Sequence, residues 1–108
     1  MGMQEIGERA HKLAKQNGFW DDDVDANFVL AKLALIHSEA SEVLEAYRKS
    51  KGEAAIAEEC ADIFIRLIDL YVGLQEHQII SPGLDFDMAV AMKMNINGGR
   101  QRKHGNLI

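Results

Sequence analysis

The chain has 108 residues, 47% of them hydrophobic, and a formal net charge of −5, which fits one domain, residues 1–108, with a single modest core. Residues 1–92 hold all 17 acids and eight of the 12 Lys and Arg. So acidic a body is a poor match for a nucleic-acid backbone, and no nucleic-acid partner is expected.

In chain order, a first helix is predicted over about residues 4–16, with Ile6, Ala10, Leu13 and Ala14 on one face and Asn17-Gly18 as its stop. The loop NGFWDDD follows, and its acids suit the N-cap and first turn of a long second helix over about 23–51. Gly52 breaks that helix, and a third is predicted over about 53–78. Ser81-Pro82-Gly83 reads as a turn, after which Asp85 starts a fourth helix ending near Asn97. With one proline and few strand signals, the expected class is all-α: a four-helix bundle-like protomer. The basic tail, about residues 98–108, carries Arg100, Arg102, Lys103 and His104. It suits either a small anion or a solvated terminus.

The chain has no apolar run near the roughly 20 residues that span a bilayer. The segment MGMQEIGERAHK lacks the pattern of a signal peptide. The lone Cys60 excludes a disulfide framework and a Cys-based zinc site, and is expected to be a small core residue. These features suit a cytoplasmic protein without a membrane partner.

The third helix carries Ile63, Phe64, Ile65, Leu67, Ile68, Leu70 and Val72 around most of its circumference. Its charged residues Glu59, Asp62, Arg66 and Asp69 crowd into one arc. An apolar arc that wide needs cover on two sides, so a homo-oligomer is expected.

On the second helix, three acids recur at a spacing of three: Glu39, Glu42 and Glu45. With Ile36, Ala40, Val43, Leu44 and Tyr47 taken as the core arc, Glu39 borders it. Glu42 lies among Phe28, Leu35 and Ala46, and Glu45 falls on a polar side with Ser38, Ser41 and Arg48. Glu59 and Asp62 repeat the spacing on the third helix. Acids at i and i+3 project together, so two antiparallel helices can bring four carboxylates together. Their repulsion raises their pKa values unless a cation sits among them. Oxygen ligands suit a hard divalent ion, Mg²⁺ or Mn²⁺. The same spacing also fits a solvated helix face, and the residues alone leave both readings open.

The pattern Glu39-x-x-Glu42 followed by Glu59-x-x-Asp62 resembles the E-x-x-E…E-x-x-D signature of MazG-like nucleotide pyrophosphohydrolases, of the all-α NTP pyrophosphatase superfamily. GFWDD, LALIHSEASEVLEAYR and KMNINGGRQRKHG are similar to the short single-domain branch of that family, and the resemblance covers most of residues 17–105. It implies a dimeric or tetrameric bundle that hydrolyses NTPs or dNTPs to monophosphate and pyrophosphate. It further implies Mg²⁺ held by Glu39, Glu42, Glu59 and Asp62, with Glu39 and Glu42 also assigned to catalysis. Lys93, Asn97 and Arg100 are spaced like the family's K-x3-N-x2-R element, which resembles a phosphate and sugar contact, with His104 behind them. One departure is Ser38, where many members carry an acid.

Trp20 and Phe19 suit either stacking on a base or anchoring their loop. His37 reads as a core-edge histidine, and Met88, Met92 and Met94 fit core or interface packing. Glu8-x-x-His11 is a single E-x-x-H, whereas a di-iron bundle needs two. Arg66 is placed to neutralise neighbouring acids. The rivals to the hydrolase reading are a non-catalytic helical oligomerisation module with a solvated acidic face, and a metal-binding bundle of another chemistry.

Overall fold

The computed structural model describes residues 2–100. They form four α-helices: α1 (Met3–Gln16), α2 (Ala26–Arg48), α3 (Glu53–Glu76) and α4 (Phe86–Gly98). No strand occurs among the described residues, and no helix is long and apolar enough to cross a membrane. The all-α class is therefore correct. The rest of the basic tail, including His104, lies outside the described residues.

Capping sets the helix starts. Asp25 accepts a hydrogen bond from the Phe28 backbone N–H at 2.9 Å, so α2 begins later than the acidic run suggests and Asp21–Asp23 stay in the exposed loop. Asp85 caps α4 in the same way, accepting from the Met88 N–H at 2.7 Å. At α1 the N-cap is Gly2, which has no side chain to offer. Asp87 supplies the carboxylate instead, accepting from the N–H groups of Met3 and Gln4 at 2.9 and 3.0 Å. After α1, Gly18 adopts φ +83°, a conformation that side chains resist, and the chain turns back on itself there.

α3 is the hub. α1 and α2 both pack on it, while the main contact of α4 is with α1. α2 and α3 run antiparallel: Arg66 meets Glu39 near the middle, and Trp20, in the loop before α2, meets Asp69 nearer the end of α3. Two glycines set the approach distances. A Cβ on Gly73 would stand 2.1 Å from the Trp20 ring, and one on Gly7 2.4 Å from Ile68.

The core differs from the expectation in two ways, and the apolar arc of α3 is only partly covered within the chain: Ile68, Leu70 and Val72 are buried, while Ile65 and Leu67 stay exposed. On α2, Ala46 is buried, while Leu44 and Tyr47 of the expected core arc point outward. That helix has apolar residues on both sides of its acids, and a helical wheel does not say which side meets the same chain. Cys60 and His37 are exposed rather than core residues. The radius of gyration, 15.8 Å, exceeds the ~13 Å of a compact domain this long. Large apolar side chains remain on the surface of α2 and α4, among them Leu30, Leu44, Met92 and Met94.

Candidate metal centre and adjoining cavity

The antiparallel α2/α3 pair brings three of the four motif acids together. One carboxylate oxygen each from Glu39, Glu59 and Asp62 lie within 4.8 Å of one another. Glu42, one turn along α2, stands just outside that trio, but its charge reaches Glu59. The Glu59 carboxyl is pushed above the usual range, first by partial loss of water, then by the charges of Asp62, Glu42, Glu39 and Glu58. Glu39 is sheltered, with 15% of its side chain exposed, and it accepts a hydrogen bond from Arg66 Nε at 2.7 Å. Glu45 lies apart, with Arg48 at 3.7 Å and Lys49 at 3.4 Å, as an ordinary surface ion-pair cluster.

The donor set fits a hard cation. It is all carboxylate oxygen, it carries more negative charge than its neighbours balance, and its oxygens lie within 4.8 Å of one another, against the ~3 Å of adjacent and ~4.2 Å of opposite ligands around Mg²⁺ at about 2.1 Å each, so the side chains would have to turn inward to close on an ion. Such an ion would sit among Glu39, Glu59 and Asp62, with the charge of Glu42 acting on it through its nearness to Glu59.

Beside the trio lies a cavity of about 440 Å³ between α1, α2 and α3. Ile6, Leu13, Phe19 and Ile65 form its apolar wall, and Lys32, Asp62, Arg66 and Asp69 bring charge to it. The Lys32 ammonium donates to the Phe19 carbonyl at 2.9 Å and lies 4.8 Å from the centre of the Trp20 ring and 5.1 Å from that of Phe28. Its pKa is lowered, chiefly by burial; Asp69 opposes the shift and the Arg66 charge adds to it. Lys32 and Asp69 were not singled out by the motif pattern. Their register carried the signal: Lys32 is two turns before Glu39 on α2, and Asp69 two turns after Asp62 on α3.

Trp20 serves as an anchor. Its indole N–H donates to both oxygens of Asp69, at 3.0 and 3.2 Å. Its ring meets His11 edge-on, Phe28 at a tilt and His77 in parallel. Phe19, largely exposed, is the aromatic that faces the cavity. Lys93, Asn97 and Arg100 lie on α4 or just beyond it, and neither this cavity nor a larger one between α1 and the end of α3 has an α4 residue in its wall. One copy of the described chain thus gathers Glu39, Glu59 and Asp62, keeps Glu42 beside them, and leaves the α4 residues out of the adjoining cavity.

Compared with known proteins, the chain matches no family model, no curated protein and no solved structure.

Proposed function

We propose that the chain is a MazG-like nucleoside triphosphate pyrophosphohydrolase, dependent on Mg²⁺ or on Mn²⁺ in its place, that converts NTPs or dNTPs to monophosphate and pyrophosphate. The role is clearance of the nucleotide pool in the cytoplasm, by a homodimer or homotetramer. The observation that carries this reading is the convergence of Glu39, Glu59 and Asp62 within 4.8 Å, with Glu42 beside them. The resemblance in the motif spacing supplies the reaction class.

When bound, the metal ion neutralises triphosphate charge and polarises the phosphorus under attack. The chain's own residues do the rest. Glu39, Glu59 and Asp62 hold the ion. Glu39 and Glu42 are the carboxylates assigned to take the proton of the attacking water, Glu42 being the one whose oxygens are outside the trio. The adjoining cavity, apolar on one wall and lined on another by Lys32 and Arg66 together with Asp62 and Asp69, suits a nucleoside with a phosphate held by the two cations at its edge. Lys93, Asn97, Arg100 and His104 are further substrate contacts under this reading, and Trp20 shapes the cavity from behind Lys32.

The exposed apolar side chains of α2 and α4 support the oligomer. They also favour the alternative, a non-catalytic oligomerisation module. Incubation with a panel of NTPs and dNTPs plus Mg²⁺, with product identification, separates the readings. Monophosphate and pyrophosphate are expected. Diphosphate with orthophosphate identifies a different enzyme, and no turnover across the panel leaves the module. Sedimentation that finds a stable monomer of about 12 kDa at micromolar concentration overturns the oligomer.

A further inference from the structure

The acid trio already has one cation on it. Arg66 Nε rests on Glu39 at 2.7 Å, where a divalent ion would approach. The two partners are unequally held: 45% of the Arg66 side chain is exposed, against 15% for Glu39. An arriving divalent cation repels the guanidinium, and the exposed, flexible partner is the one that moves. It has a place to go, because Arg66 also lines the adjoining cavity with Lys32, where Asp62 and Asp69 are the neighbouring carboxylates and both Asp69 and Arg66 act on the Lys32 charge. The Lys32 ammonium is fixed in that wall by the Phe19 carbonyl and the ring faces of Trp20 and Phe28.

We infer that Arg66 is a displaceable counter-ion: a divalent cation takes its place beside Glu39, and the released guanidinium joins Lys32 on the cavity wall, where the pair receives a phosphate group of the substrate. This rests on the metal reading of Glu39, Glu59 and Asp62. It adds an order of events to it, with the phosphate site completed only after the cation has bound. Arg66 is then a binding residue, and in the absence of metal it keeps the acids from repelling one another fully.

The test uses the full chain and Mg²⁺ alone. The Nε–Hε resonance of Arg66, assigned by its loss in Arg66→Gln, is followed as Mg²⁺ is added. It is expected to move, and calorimetry is expected to show Arg66→Gln binding Mg²⁺ about two- to fivefold more tightly than wild type, the scale of one half-exposed ion pair lost as a competitor. Arg66→Lys keeps the charge and should stay close to wild type, which separates competition from altered folding. Inorganic phosphate added after Mg²⁺ should move the Arg66 resonance again in wild type, and added before Mg²⁺ should leave it in place. If Mg²⁺ binds while the resonance stays still, or if Arg66→Gln binds Mg²⁺ no more tightly, the counter-ion role is overturned and the metal site stands. If phosphate acts equally with and without Mg²⁺, the ordered phosphate site is overturned. If wild type binds no Mg²⁺, both this inference and the metal reading fall.

Discussion

α3 carries two acidic clusters that face opposite fates. Toward its C-terminal end, Asp69 accepts from His11 Nδ1 at 2.8 Å and from the Trp20 indole. Glu76 meets the other ring nitrogen of His11 and the Lys15 ammonium at 3.0 Å. Partial burial works against the Glu76 charge, yet Lys15 and His11 hold its carboxyl below the usual range. Two turns earlier, Glu59 and Asp62 face Glu39 and Glu42 with Arg66 as the nearby cation, and Glu59 is pushed the other way. The first cluster has donors for its oxygens and bolts α1 and the Trp20 loop to α3. The second has oxygens in excess of donors, and that deficit is what a ligand cation can fill. Carboxylates on one helix thus differ in how many donors reach them, and that count separates those with structural partners from those open to a cation.

The largest effects expected from breaking this comparison are on turnover. Glu39→Gln, Glu42→Gln, Glu59→Gln and Asp62→Asn should each lower kcat by about a hundredfold or more, the scale of one lost preorganised charge, without loss of helix content by circular dichroism. Asp69→Ala should act first on stability. It strips partners from the buried His11 and from the Trp20 indole, so urea unfolding should show a loss of about 3 kcal/mol. Equal kinetic damage from Asp69→Ala in a protein that remains folded would merge the two clusters into one functional site.

Gly73→Ala comes next. Its methyl would overlap the Trp20 ring that the donor-rich cluster holds in place, and a cost of about 1–3 kcal/mol is expected. Chemical denaturation of the purified variant reads it directly; an unchanged midpoint would mean that the Trp20 loop yields easily and is not an anchor.

The pH response separates the clusters by sign. A carboxyl with a folded pKa above its unfolded value binds its proton more tightly when folded, so the Glu59 contribution declines as pH rises from the ordinary carboxylate range through the raised value. Glu76 and Asp87 are held below their ordinary range, Asp87 by the Gln4 and Met3 backbone N–H groups that it caps. Their contributions are complete above that range and fade as pH falls through it. In EDTA, Glu59→Gln should therefore remove the decline on the alkaline side of the carboxylate range, and Asp87→Asn should soften the loss on the acid side. Urea midpoints across pH 4–7 that stay parallel to wild type for Glu59→Gln would show that the acids do not repel.

The smallest change is expected from Glu45→Gln. Its partners Arg48 and Lys49 are exposed surface neighbours, so stability should shift by no more than about 0.5 kcal/mol and turnover should be unaffected. A kinetic defect on the scale of Glu39→Gln would place Glu45 inside the site.

The sequence by itself determined the all-α class, the four helices to within a few residues, and the two E-x-x-(E/D) pairs that an antiparallel α2/α3 hairpin must bring close. Those are local properties: periodicity, stop residues such as Gly18 and Gly52, and i, i+3 spacing act within one or two turns. Only the tertiary structure decided which side of α2 meets α3, because apolar residues flank its acids on both sides and the choice depends on how α1 and α2 share one hub. That choice turned Leu44 and Tyr47 outward, buried Ala46, and put Lys32 on the same cavity wall as Arg66. It also made His11 a buried link between Asp69 and Glu76, residues 58 and more positions away along the chain. Hydrogen bonds of that reach have no local signature, because they depend on the crossing of α1 over α3. The same holds for Asp87, whose carboxylate caps a helix 83 residues earlier, a role that follows from where the start of α4 is bolted rather than from any pattern around it.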